Sequence, residues 1–139
     1  MRERADEIGQ CVGGLCPIDR AVPVPLPGGG HDLCVQQERF HDAFAPDVPA
    51  DAAKLAAAAQ RPVTDIAFGE PATEPAWKTI PSWFVYGDRD TAIPPKLHAF
   101  MAERARARAT SVVEGASHVV MISHSEAVAK VIEEAATAR

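Results

Sequence analysis

The organising apolar signal is a short run of bulky residues, Trp83-Phe84-Val85-Tyr86, followed at once by Gly87. A run apolar on both faces predicts a buried strand of the parallel type, over about Ser82 to Tyr86. From Lys96 to Ala107 the pattern changes to a helical period. Leu97, Phe100, Met101 and Ala105 fall on one side, and Glu103, Arg104, Arg106 and Arg108 line the other as a solvated face. Pro94 and Pro95 suit the start of that helix, where a missing N–H costs nothing. Ser111-Val112-Val113-Glu114 predicts a second strand, ended by Gly115. Ser125 to Ala136 predicts a last helix, with Ser125 as N-cap and Val128, Val131, Ile132 and Ala135 on its apolar face.

Strand, helix, strand is a βαβ unit, whose crossover is right-handed and whose strands are parallel. Parallel strands bring their C-terminal ends to one edge of the sheet, where open α/β sheets place their sites. Asp88 and Asp90 follow the first strand and His118 follows the second, so an acid and a histidine 28 positions apart, Asp90 and His118, are expected at the same edge.

Upstream the pattern is weaker. Met1 to Ile8 reads as a short charged helix at most. Pro23, Pro25 and Pro27 alternate before Gly28-Gly29-Gly30, which predicts an extended and then flexible stretch. Residues 1–35 are therefore expected to be a poorly structured N-terminal segment or linker. From residue 36 helices return. Phe40 and Phe44 stand on one helical face, closed off by Pro46 and Pro49. Ala50 to Gln60 is alanine-rich helix ended at Arg61-Pro62, and Val63 to Trp77 is mostly irregular.

The chain has 139 residues, enough for one domain; 47% are apolar and 24% charged. The net charge of -5 speaks against nucleic acid and against an anionic membrane surface. No apolar run approaches the roughly 20 residues of a membrane span, and the mixed charges of Met1 to Glu7 do not read as a secretory signal. Cys11, Cys16 and Cys34 are odd in number and fit no common zinc spacing and no C-x-x-C motif, which argues against a redox or metal protein. They predict free thiols in a reducing, cytoplasmic setting, with no metal.

An aspartate beside a histidine fixes the imidazole tautomer and stabilises the imidazolium formed when histidine takes a proton from a nucleophile. Gly87-Asp88-Arg89-Asp90-Thr91-Ala92-Ile93-Pro94 resembles the acid loop of α/β-hydrolases, and Glu114-Gly115-Ala116-Ser117-His118-Val119-Val120 resembles their histidine loop. Phe40 to Pro49, Gln60-Arg61-Pro62 and Ala76 to Ser82 are similar to the cap of the esterase-like branch. The resemblance implies an α/β fold, in part: the C-terminal strand-helix-strand-helix of the parallel sheet with cap helices. Residues 36–139 would form this part, cap-like over 36–79 and sheet over 80–139. It also implies hydrolysis of a carboxylic ester or related small-molecule acyl substrate, with Asp90 as triad acid, since that family's pattern is glycine, two variable residues, then the acid. His118 would be the general base, and Asp88 a loop residue. Triad hydrolysis needs only water, so no cofactor is implied. His31 and His98 read as structural or surface residues, His124 as structural or exposed, and His41 as surface helix.

The departures from the family pattern are large. Its nucleophile sits on a strained turn, usually Gly-x-Ser-x-Gly, ahead of the acid. No serine here has that setting, and Ser117 lies beside the histidine itself. Gly9-Gln10-Cys11-Val12-Gly13 has the spacing with cysteine, but no apolar strand precedes it and Pro17 follows too soon for a helix. The expectation is a chain without the nucleophile-bearing N-terminal half, inactive alone. The alternative is a truncated, non-catalytic remnant serving as a partner-binding α/β module, with self-association or a partner chain at an exposed sheet edge. Phe40, Phe44, Phe68 and Trp77 point to an apolar acyl or alcohol group in any substrate.

Overall fold

The parallel pair that the apolar pattern predicts is formed by β4 (Trp83–Gly87) and β5 (Ala109–Val113), in register from Trp83 opposite Ala109 to Gly87 opposite Val113. The structure is a computed structural model and describes residues 21–138. The helix between the strands, α4 (Pro95–Arg104), carries Pro95 in its first turn and buries Ala102, with Leu97, Phe100, Met101 and Ala105 half-buried beside it. After β5 the chain turns at Gly115, whose φ of 76° is left-handed and favours glycine. It then makes a short helix absent from the sequence reading, α5 (Val120–Ser123), and the last helix α6 (Ser125–Thr137). His124, not Ser125, is the N-cap of α6, and no side chain caps it. Ile132, on the apolar stripe of that helix, is 62% exposed.

Residues 21–35 depart from the linker expectation. They form an antiparallel hairpin of β1 (Ala21–Pro25) and β2 (His31–Val35). Pro23 and Pro25 are tolerated because β1 is an edge strand, in the order β1-β2-β3, and proline cannot serve a central ladder. The glycine run is the turn. Gly29 and Gly30 hold φ of 91° and 77°, with Leu26 N donating to Gly30 O at 3.1 Å and Gly29 N to Leu26 O at 3.0 Å. The third strand, β3 (Val63–Thr64), is two residues long and is followed by a short helix α3 (Asp65–Gly69), on which Thr64 Oγ1 accepts from Ala67 N. Asp65 closes the hairpin by accepting from His31 N at 3.0 Å and contacting His31 Nδ1 at 2.9 Å. The expected N-terminal helix at Met1 to Ile8 and the cysteine motif at Cys11 lie outside the described residues.

Between the two sheets stand α1 (Gln37–Phe44) and α2 (Ala50–Ala59). Their contact is the main core: Phe40, Ala45, Val48, Ala53 and Ala57 are buried together, and Val119 from the far end of the chain packs against them. The small alanines of α2 let the helices approach closely, while Phe40 stacks on Phe44 at 5.5 Å between ring centroids. Gln60 joins this layer to the hairpin, accepting from Val35 N at 2.9 Å and donating to Val35 O at 2.7 Å. His41 closes the α1–α2 loop through Nε2 and the Val48 carbonyl, 3.0 Å apart.

Candidate active site

Gly87, the last residue of β4, decides how close the two loops at the sheet edge come. A side chain there would meet Ser117 O at 2.6 Å and Ala116 O nearer still, so the histidine loop can cross the strand end only because residue 87 has no Cβ. Backbone bonds then fasten the loops to each other: Asp88 N donates to Val113 O at 3.1 Å and Arg89 N to Ala116 O at 3.0 Å. Asp88 accepts from Gly115 N at 2.6 Å, which makes it a tie between the loops.

This packing delivers Asp90 to His118. Asp90 Oδ2 and His118 Nδ1 are 2.8 Å apart, and the carboxylate is buried at 5% exposure. Its other oxygen, Oδ1, accepts from Ala92 N and Ile93 N, both at 2.8 Å. Burial alone pushes the Asp90 carboxyl up, but the hydrogen bonds from His118, His98 and the Ile93 amide outweigh it and hold the group well below the usual carboxylate range. An ionised carboxylate only accepts, so His118 carries a proton on Nδ1, and in the neutral imidazole Nε2 keeps a lone pair. No described residue takes that Nε2. The ring is 28% exposed and meets Phe44 edge-on at 4.9 Å. Such an imidazole can accept a proton from a group brought to its outer nitrogen and return it, with Asp90 balancing the charge.

Ser117, although next to His118, faces the other way. It is 2% exposed; its amide donates to Asp47 Oδ2 at 2.9 Å, and its hydroxyl lies between the Asp47 carboxylate and the Phe44 carbonyl, 3.0 Å from the latter. Burial pushes the Asp47 carboxyl up, while the hydroxyls of Ser117 and Ser123 pull it down, with a net lowering. His124 stands 3.8 Å from Asp47 and contacts its neighbour Ser123.

The sequence reading missed two members of this neighbourhood. His98, read as a structural or surface residue, is 15% exposed, and its Nε2 lies 2.9 Å from Asp90 Oδ2. The available signal was the proline pair, which opens α4 directly after the acid loop and turns its first residues back over Asp90. Asp47 gave no signal: it sits in a proline-flanked turn 70 positions from its partner Ser117. Among the described residues no cluster of His, Cys, Asp and Glu is arranged to hold a metal ion, and no helix is long and apolar enough to cross a membrane.

Comparison with known proteins agrees with this architecture. No curated protein sequence matches the chain. Among solved structures it is similar to a polyneuridine aldehyde esterase, with 14% identity and a TM-score of 0.74 over 94% of this chain and 54% of the other. A methylesterase from Arabidopsis matches with 15% identity and a TM-score of 0.68, over 84% of this chain and 51% of that one. A pyrethroid hydrolase from Sphingobium faniae JZ-2 matches with 23% identity and a TM-score of 0.62, over 87% and 49%. The chain thus spans about half the length of these structures. A family model matches residues 11–131, nearly the whole chain, and by that match the chain belongs to the alpha/beta hydrolase family.

Proposed function

We propose that this chain supplies the acid and the base of a triad that hydrolyses a carboxylic ester or related acyl compound. Asp90 orients His118, and His118 Nε2 takes the proton of a nucleophile and then delivers it to the leaving group. The observation that carries the proposal is the 2.8 Å contact of a buried, ionised Asp90 with His118 Nδ1, which leaves the outer nitrogen without a partner among the described residues. Phe44, against the imidazole, forms an apolar wall suited to an apolar acyl or alcohol group. Membership of the family and the likeness to an esterase and a methylesterase support an ester as substrate. No described hydroxyl or thiol stands at His118 Nε2, so the nucleophile comes from outside residues 21–138, and those residues have no turnover without it.

The test is hydrolysis of p-nitrophenyl butyrate by the purified chain beside His118→Ala and Cys11→Ala. The expected result is no rate above the His118→Ala background. A rate lost in both variants would identify Cys11 as nucleophile and overturn the inactivity of the isolated chain. A rate that His118→Ala leaves untouched would overturn the role of His118.

A second reading, a partner-binding module, has one observation in its favour. Among the described residues β4 and β5 pair only with each other, so each leaves a ladder edge open, and Val112 of β5 is 53% exposed. On this reading sedimentation equilibrium gives a mass above the 14.8 kDa of one chain that rises with concentration, and Val112→Lys lowers it. One mass of 14.8 kDa at every concentration would rule out self-association.

A further inference from the structure

We propose that His98 is a positioning residue of this site: it places a second N–H on Asp90 Oδ2, and the sharing of that oxygen sets how strongly Asp90 holds His118. The inference rests on the reading of Asp90 and His118 as acid and base.

Both imidazoles reach the same carboxylate oxygen, His118 Nδ1 at 2.8 Å and His98 Nε2 at 2.9 Å. With Ala92 N and Ile93 N on Oδ1, the acceptor positions of the carboxylate are filled by four protein donors. Asp90 therefore has no freedom to turn, and its charge is divided among four bonds. Two donors on one oxygen each draw on the same negative charge, so the His118 bond is weaker than it would be with Oδ2 to itself. Charge-assisted bonds in a partly buried network respond strongly to such competition.

Packing alone does not account for His98. Its ring stacks on Tyr86 of β4 at 4.7 Å and 14° between planes, a contact that any flat aromatic would make. Ring stacking does not require a nitrogen aimed at a carboxylate. The backbone that carries the ring is fixed by the start of α4, where Leu97 N and His98 N donate to Pro94 O at 2.8 and 3.2 Å. Because Asp90 only accepts, His98 must carry a proton on Nε2. The acid loop and the first turn of α4 thus form one device, in which the helix that follows the acid also sets its hold on the base.

Two substitutions separate the donor from the ring. His98→Phe keeps the stack on Tyr86 and removes the N–H. His98→Gln loses the ring but carries an amide N–H as many bonds from Cα as the imidazole Nε2. Two-bond proton–nitrogen correlation spectra of the ¹⁵N-labelled chain at neutral pH read both ring nitrogens of His118 from its carbon-bound protons. The wild type is expected to show Nδ1 as the protonated nitrogen and Nε2 as the lone-pair nitrogen. In His98→Phe the Nδ1 resonance of His118 moves downfield, as its bond to Asp90 strengthens; in His98→Gln it stays at the wild-type position. Equal shifts in both variants, or none in either, would overturn the role of His98 while leaving the Asp90–His118 pair intact. A wild type in which Nδ1 is the lone-pair nitrogen would overturn the pair itself, and the proposed function with it.

Discussion

Gly87→Ala is expected to cost about 3 kcal/mol or more of stability, read as a drop in the urea midpoint of unfolding. The new methyl group would sit against the carbonyl oxygens of Ala116 and Ser117, which are backbone atoms and cannot swing away as a side-chain tip would. Relief requires the histidine loop to move off the end of β4. That movement strains the bonds from Asp88 N to Val113 O and from Arg89 N to Ala116 O, and it pulls His118 from Asp90. The loss of stability should therefore be accompanied by loss of the Asp90–His118 tautomer signature. An unfolding midpoint equal to that of the wild type would show that the two loops do not approach as closely as described. Gly115→Ala is a useful companion, since a side chain there meets nothing within 4 Å and only its left-handed backbone is disfavoured. Its cost should be nearer 1 kcal/mol.

Asp90→Ala is expected to destabilise by roughly 3–5 kcal/mol, because it strands donors and not merely one bond. Two backbone amides and two imidazoles lose their acceptor together. Asp90→Asn should cost less, since its amide oxygen can still accept from Ala92 N and Ile93 N, but its NH₂ then faces the N–H groups of both imidazoles and forces each histidine into the other tautomer. The same carboxylate sets a pH dependence. An unfolded Asp takes up its proton near pH 3.9, while the folded Asp90 is held well below its ordinary value. Between the two, the unfolded chain binds more protons, so stability rises with pH. The contribution is fully present above the unfolded value and is lost as the pH falls toward the folded one. Asp47 acts in the same direction through its bonds to Ser117 and Ser123, despite the opposing effect of burial, and Asp65 does so through its bonds to His31. Urea midpoints taken downward from pH 5 should fall steeply in the wild type and less steeply in Asp90→Ala. Parallel slopes would show that Asp90 is not ionised by its partners.

The parts legible in the sequence are those whose cause is local. An apolar run, a glycine break and a proline pair lie consecutively from Trp83 to Pro95, and they specify strand, loop and helix without help from elsewhere. The meeting of Asp90 and His118 followed from the parallel topology alone, because only one edge holds the C-terminal ends of both strands. What the sequence concealed depends on distant partners. Pro23 and Pro25 look like linker residues until β1 is seen to pair on one side only, against a β2 whose other side is taken by residues 63 and 64. His98 looks like a polar position on a charged helix until the direction of that helix over the acid loop is fixed. The glycine at 87 was read as a break after the strand, whereas its greater role is to let another loop pass.

The end of α1 is held by both loops of the site at once. Thr91 Oγ1 donates to Ala43 O at 3.1 Å, Ser117 Oγ lies at Phe44 O, and Ser117 N is bound to Asp47. A segment anchored in this way is no free-swinging lid. To open away from the imidazole it would have to rupture bonds to the acid loop and to the histidine loop, so any breathing of α1 disturbs the seat of His118. Under the proposed function, admission of a substrate and readiness of the base would then be a single thermal event, and the exchange rate of the Ser117 amide with deuterium would clock it.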